Sequence, residues 1–456
     1  MFKIVKNFEE LVNRRRDVLA EIRRDVLRAV EAAIEAVLPE NTLKKHVKRI
    51  GDSLMVDKEK YSLKNYEKII VLGAGKAVLG MARHIEEIML DKIDAGVVVV
   101  PREKIHEASL KKIEVLPSTH PIPSMLGVKA SEKLLEYAEK TDSKTLVIFL
   151  LSGGASALLP MPTPPITLED KAETTRLLLK SGATIDEINI VRRHISEIKG
   201  GKLLRKLNNA TVITLIISDV IGDKLEVIGS GPTAPDPYTY RDAYEVLRRY
   251  GLWDKVPEKV RKKIEDGMEG KIEENPKPGD PIFNRVRNVI IANVLDACSS
   301  ARRLLSSSGY RVKILTHHME GEASEVGRFL IGVAKDMLVK KPSALICGGE
   351  TTVTVRGHGI GGRNQELALS SSINLKELDN CVLVSVGTDG VDGPTDAAGA
   401  IVDNETYRES LEMGLNPIEY LLNNDSYNFF KKLGDHVITG PTGTNVGDIV
   451  IIASRG

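Results

Sequence analysis

Short apolar runs recur along this chain, separated by helical patterns, and five of the eight stop at glycine, serine or an acid. Strand-like runs cover 68–72, 95–100, 145–151, 211–218, 288–292, 311–315, 343–347 and 381–386. Between and beyond them, helical periodicity covers 77–90, 126–140, 168–181, 186–199, 240–250, 297–307, 322–339 and 365–374. Strands alternating with helices predict mainly parallel sheets with helices on both faces. The chain has 456 residues, too many for one core, so two α/β domains are expected, 1–285 and 286–456, with the boundary placed to within tens of residues. The stretch 232–283 is rich in Pro, Gly and charge and reads as a crossover with one helix. Residues 351–357 read as a hairpin or edge strand, and the last strand is a candidate to rejoin the first domain. Residues 8–38 read as one amphipathic helix ended by Pro39.

Composition narrows the function classes. The net charge is +1 and 4% of residues are aromatic, which gives neither a field for nucleic acid or membrane nor a base-stacking surface. No apolar run approaches the roughly 20 residues of a membrane span. Cys298, Cys347 and Cys381 are dispersed and form neither a disulfide framework nor a zinc pattern, so a reduced, cytoplasmic protein is expected. Gln365 is the sole glutamine among many Lys and Glu, which suggests a thermophilic source. A homodimer is expected as the commonest oligomer.

The chemistry gathers where the strands end. "KIIVLG" runs into Ala74-Gly75-Lys76; "TLVIFLL" into Ser152-Gly153-Gly154; "TLIIS" into Asp219; "SALICGG" into Glu350; and "CVLVSVG" into Thr388-Asp389. Ligands of open parallel sheets bind beyond such strand ends. Gly75 and the Ser152-Gly153-Gly154 turn can present backbone N–H groups to a phosphate. The dinucleotide pattern G-x-G-x-x-G is broken, because Val78 stands at the third glycine and Lys76 sits inside the turn. "GGRNQE" places Arg363, Asn364 and Gln365 at a helix start, where a guanidinium fork and backbone donors suit a carboxylate or phosphate. Asp389, Asp392 and Asp396 crowd one glycine-rich loop. Their carboxylates, Asp389 first, could hold Mg²⁺ there, while one or two of the three shape the loop. Asp219, directly after a strand, could carry Mg²⁺ or accept a hydroxyl proton, or it could cap a helix. Glu350 lies in the vicinity of the nucleotide or metal. His120 and His194 read as hydrogen-bonded fold elements. Arg192, Arg193 and Lys199 give one helix a basic side, with a solvated face as the default. No G-x-S-x-G surrounds Ser152 or Ser156, which sets a serine hydrolase aside.

Taken in order, "GAGKA", "LLSGGASALL", "VRRHISEIKGGKL", "SDVIGD", "IGSGPTAPD", "GGETTVTVRGHGIGGRNQELAL", "GTDGVDGPTDAAGA" and "PTGTNVGDIVI" resemble the glycerate 2-kinases of the MOFRL type. The stretches span residues 73 to 451. The resemblance implies a Rossmann-like N-terminal domain, a MOFRL C-terminal domain and an active site in the cleft between them. It implies ATP as co-substrate, Mg²⁺ as cofactor and D-glycerate as acceptor, giving 2-phosphoglycerate and ADP. Carried over by motif, Lys76 and Arg363 are the residues it marks as essential. Two other readings use the same features: an NADP-dependent hydroxyacid dehydrogenase, and a non-catalytic sensor of a sugar phosphate or hydroxy acid.

Overall fold

The computed structural model describes residues 4–456. Its contacts divide the chain into two units: Thr42–Ile291, and the segment through Asn41 together with Ala292–Gly456. The expected division at 285 is corrected at both ends. The strand after 285 belongs to the first sheet, and the N-terminal helices belong with the C-terminal half.

The central unit opens with a small antiparallel meander that periodicity missed: β1 (Val47–Ile50), β2 (Ser53–Val56) and β3 (Glu59–Ser62). Its main sheet contains β4 (Lys68–Ala74), β5 (Ala95–Pro101), β6 (Ile113–Ser118), β7 (Thr145–Ser152), β8 (Thr211–Ile217) and β9 (Val286–Ala292), in the order β6-β5-β4-β7-β8-β9. The pairings β4·β5, β5·β6, β4·β7 and β7·β8 are all parallel. Every residue of β7 is buried, as expected for a strand covered on both faces. Phe149, Val147 and Leu72 pack with Leu134 of helix Met125–Glu139 and with Leu203 and Leu207. The order reverses between β4 and β7, so the carboxyl ends of these two strands flank the topological switch point.

The segment 232–283 is more than a crossover. It carries two helices, Tyr240–Arg249 and Glu258–Met268. Their Val246, Leu247, Val260 and Ile264 share an apolar cluster with Ile188 and Val191 before the chain returns to β9. Capping boxes at Thr167–Asp170, Thr184–Glu187 and Thr239–Asp242 start three of the helices in this unit.

The other unit contains β10 (Arg311–Met319), β11 (Ser343–Gly349), β12 (Cys381–Gly387), β13 (Gly399–Asp403), β14 (His436–Val437) and β15 (Asp448–Ser454), ordered β10-β11-β15-β12-β13-β14. Here the expectation of a mainly parallel sheet gives way to a mixed one. Only β10·β11 is parallel: β15 inserts between β11 and β12 and runs against both, and β12·β13 and β13·β14 are antiparallel as well. β15 therefore stays in this unit and does not rejoin the first sheet. Residues 351–357 form no hairpin. Their backbone donors go to side chains instead, Thr354 N to Glu322 and Arg356 N and Gly357 N to Asn424 Oδ1, leaving one isolated bridge at Thr352.

The expected N-terminal helix breaks into Phe8–Asn13 and Asp17–Ala36, the latter burying Ile22, Val26, Val30 and Ile34. Its fully buried Arg23 places Nε 2.8 Å from Asp403 Oδ2 and Nη1 2.8 Å from Asp435 Oδ1. Arg15 Nε lies 2.8 Å from the same Asp403 oxygen. These pairs join the first helices to residues 380 to 412 positions later.

Candidate active site

Two constellations stand at strand ends, one in each unit.

In the central unit, β4 and β7 deliver their turns side by side. Lys76 N donates to Gly153 O (2.9 Å), and Ala77 N donates to Ser152 Oγ (3.0 Å). Gly75 has φ 148°, and a Cβ there would lie 2.1 Å from Ser152 Oγ, so the turn closes only with glycine. Ser152, 1% exposed, is thus a latch holding the Lys76 turn. At Gly153 a Cβ would lie 1.9 Å from Asp219 Oδ2; at Gly154 it would lie 3.0 Å from His120 Cδ2 and 3.3 Å from Lys76 Cγ. Lys76, Gly153, Gly154, Asp219 and His120 therefore converge at the switch point. Lys76, His120 and Asp219 are each half-buried, so all three remain within a ligand's reach. His120 extends the sequence expectation. It follows β6, a strand that periodicity missed, and with that strand in view the loop 119–124 joins the other strand-end loops.

In the second unit, helix Arg363–Leu375 starts at Gly362. Its N-terminus already holds a carboxylate. Asp392 Oδ1 accepts from Asn364 N (3.0 Å) and Oδ2 from Gln365 N (2.9 Å), and Gln365 Nε2 donates to Oδ2 (2.9 Å). A Cβ at Gly362 would meet Asp392 Cγ at 2.3 Å. Burial pushes the Asp392 carboxyl up to about 6, against the pull of those donors. Asn364 is 2% exposed and accepts from Ser385 Oγ at 2.7 Å; Gln365 is fully buried. The two amides expected to hold phosphate instead fasten the helix to the Asp392 loop.

Arg363 is held by a residue that the sequence reading passed over. Its Nε lies 2.6 Å from Asp448 Oδ2 and its Nη2 2.9 Å from Asp448 Oδ1, while Nη1 lies 2.9 Å from Glu350 Oε1. Burial alone would lower the guanidinium's pKa; Asp448 outweighs it, with Glu350 behind, and holds Arg363 above its ordinary value. Asp389 is half-buried, and its Oδ1 accepts from Val391 N. A Cβ on Gly387 would lie 3.2 Å from Asp389 Oδ1 and 3.4 Å from Asp448 Oδ1, so both carboxylates flank that glycine. Among the described residues no group of three or more His, Cys, Asp or Glu is arranged to hold a metal ion. Nor is any described helix long and apolar enough to cross a membrane.

Comparisons with known proteins cover nearly the whole chain. Residues 25–265 match a family described as a domain of unknown function, DUF4147, and residues 343–448 match the MOFRL family. The chain is 43% identical to the glycerate 2-kinase of Pyrococcus horikoshii, over 95% of this chain and 98% of that one. It is 40% identical to the D-glycerate 2-kinase of Thermotoga maritima, over 94% and 98%. A protein of Agrobacterium vitis named putative hydroxypyruvate reductase is 40% identical over 84% of this chain and 86% of its own length. A crystal structure of glycerate kinase from Thermotoga maritima superposes with a TM-score of 0.83 at 40% identity, covering 95% of this chain and 99% of that one.

Proposed function

The chain belongs to the MOFRL glycerate kinase family, and we propose that it transfers the γ-phosphoryl group of ATP to the 2-hydroxyl of D-glycerate. The β–γ phosphoanhydride bond breaks and a phosphate ester bond forms at the 2-oxygen. The hydroxyl proton leaves, and the products are 2-phosphoglycerate and ADP. The observation that carries this reading is the meeting of Lys76 with the Gly153-Gly154 turn and Asp219 at the switch point. Phosphoryl transfer depends on positioning and on neutralising charge as it moves to the leaving oxygens. In this reading Lys76 supplies a compact cation beside backbone donors, and Asp219 accepts the hydroxyl proton.

In the second unit, the half-buried Asp389 offers a carboxylate, whereas both oxygens of Asp448 are committed to Arg363. Mg²⁺ needs only one or two protein carboxylates when phosphates and water complete its shell. Asp389 would hold it, and the ion, when bound, would neutralise phosphate charge. Arg363, locked by Asp448, presents a rigid guanidinium to an anion.

The reductase name of one relative and the β6-β5-β4-β7 strand order keep a dinucleotide enzyme as the second reading. Against it, Gly75 is required by Ser152 of the protein itself, and Lys76 fills the mouth of the turn.

The test is an enolase-coupled assay with D-glycerate, ATP and Mg²⁺, run without phosphoglycerate mutase. Direct signal supports the 2-hydroxyl reading. Signal only with mutase present moves the transfer to the 3-hydroxyl. Silence in both, with absorbance change near 340 nm on adding NADPH and hydroxypyruvate, would replace the kinase by the reductase.

A further inference from the structure

The basic side expected on a helix over 186–199 is not a solvated face; the helix ends at His194, and Lys199 lies beyond it. Arg193 and Lys199 are each 1% exposed. The charge of Arg193 is answered, since its Nε lies 3.1 Å from Asp236 Oδ1 and its guanidinium stacks over Tyr238.

Arg192 and Lys199 have no such answer. Arg192 Nη2 lies 2.8 Å from Ser156 Oγ, and Lys199 Nζ lies 2.7 Å from that same oxygen and 2.9 Å from the Ser156 carbonyl. Ser230 Oγ stands 3.0 Å from Ser156 Oγ and shares Asn189 Oδ1 with Arg192. Arg192 Nε is buried without a hydrogen-bond partner. Behind them the buried Lys171 donates only to the Pro160 carbonyl. No carboxylate among the described residues pairs with any of these three cations.

Buried cations are normally matched by anions, because desolvating a charge without a partner is costly. Here two cationic donors converge on one neutral hydroxyl, which can accept their hydrogen bonds and cannot cancel their charge. Burial, reinforced by Arg192 and Lys171, pushes the Lys199 ammonium well below its ordinary value. Ser230, which closes the cluster, is held at φ 62° between Gly229 and Gly231, a conformation a serine adopts only when its surroundings impose it. Ser156 follows Gly154 by two residues on the short helix Ala155–Leu158. Gly154 in turn borders Lys76, since a Cβ there would lie 3.3 Å from Lys76 Cγ.

We propose that Arg192 and Lys199, with the hydroxyls of Ser156 and Ser230, form an oxyanion seat that takes the carboxylate of the hydroxy-acid substrate. The planar Arg192 fork and the point charge of Lys199 give a carboxylate two-sided recognition. The seat would select acids over uncharged polyols and leave the hydroxyl end of the substrate toward Lys76 and Asp219. The identity of the anion rests on the glycerate reading above; the existence of the seat does not.

The experiment reads binding apart from turnover. Thermal stabilisation of the full chain by D-glycerate, by inorganic phosphate and by glycerol is measured without nucleotide for wild type, Arg192→Gln, Arg192→Lys and Lys199→Met. KM for D-glycerate and for ATP is measured alongside. D-glycerate is expected to stabilise wild type and glycerol is not. Arg192→Gln and Lys199→Met are expected to weaken D-glycerate binding, and to raise its KM, by roughly 10- to 100-fold, the range for a hydrogen bond to a charged group. The KM for ATP should stay unchanged, and Arg192→Lys should recover only part of the loss. Equal D-glycerate binding by wild type and Arg192→Gln overturns the proposal. So does a rise in the KM for ATP with that for glycerate intact, which would give the seat to a nucleotide phosphate. Glycerate binding that depends on Arg192 without product formation would leave the seat standing and remove the kinase reading.

Discussion

Arg363 and Asp448 form a two-point ion pair, Nε to Oδ2 at 2.6 Å and Nη2 to Oδ1 at 2.9 Å, across the start of a helix and the start of β15. Asp448 is 1% exposed, and a buried carboxylate or guanidinium left without its partner costs about 3–5 kcal/mol. Arg363→Ala, which leaves the buried Asp448 alone, is expected to destabilise the protein by about that much, and Asp448→Ala by somewhat less, since Arg363 is only partly buried and keeps Glu350. The double variant should lose less than the sum. A double-mutant cycle in urea reads the coupling; strict additivity would mean that the pair is not maintained in solution.

Lys76 is expected to matter for rate and not for folding. Loss of one positioned electrostatic donor costs about 3–4 kcal/mol of barrier, so Lys76→Ala should lower kcat/KM for D-glycerate by roughly 10²–10³-fold. Its melting temperature should stay near that of wild type, because the backbone bonds of the turn to Gly153 and Ser152 are kept. Near-normal kcat/KM would remove Lys76 from the machinery.

Gly153 offers a finer test of Asp219. A methyl group at 153 would lie 1.9 Å from Asp219 Oδ2, so Gly153→Ala must displace that carboxylate. Displacement of a reacting group by about 1 Å costs on the order of 10²-fold in rate. Activity in the coupled assay should fall by that factor while far-ultraviolet circular dichroism is retained. Full activity would show that Asp219 takes no part.

His436 sets an acid limit. It packs against Tyr427 and Phe430, and its Nε2 is buried without a hydrogen-bond partner. Burial pushes its pKa down to about 4. With the folded value below the unfolded one, the stability it contributes is present above about pH 6.5 and is lost as pH falls toward 4, up to about 3 kcal/mol. Asp392 works in the opposite direction. Its raised value favours the folded state below about pH 4, and that advantage is lost as pH rises to about 6. Urea midpoints of His436→Phe against wild type isolate the first effect: the difference between them should change between pH 6.5 and 4, with wild type losing more.

The arginines of the first helices give a prediction about autonomy. Residues 286–456 made alone leave Asp403 and Asp435 buried without Arg15 and Arg23, a cost comparable to the 5–15 kcal/mol that stabilises most domains. That fragment is expected to show no cooperative unfolding by circular dichroism. Joining 4–41 to 292–456 through a flexible linker is expected to restore it.

The sequence carries some of this and withholds the rest for physical reasons. Runs such as Thr145–Ser152 are apolar throughout because both faces are covered, and all eight strand-like runs are strands. The glycine turns after β4 and β7 are equally visible. Which partner each strand takes is a long-range matter, so nothing local announces that β15 slides between β11 and β12. The loop 387–403 holds three aspartates of equal standing in sequence. Only folding makes Asp392 the cap of a helix that begins 29 residues before it. Asp448 is a single acid ahead of an apolar run, and its importance exists only through Arg363. Likewise Arg192 and Arg193 are adjacent letters, one answered by Asp236 and the other left facing a serine.

The tie between Arg23 and the pair Asp403 and Asp435 also orders events during synthesis. The parallel-sheet unit is encoded inside the other one, so the ribosome completes residues 42–291 before the partners of the first helices exist. At about 5–20 residues per second, that interval lasts roughly 10–50 s. Throughout it, Ile22, Val26, Val30 and Ile34 lack their packing surface, so the helix that carries them emerges before residues 42–291 and is buried only after them.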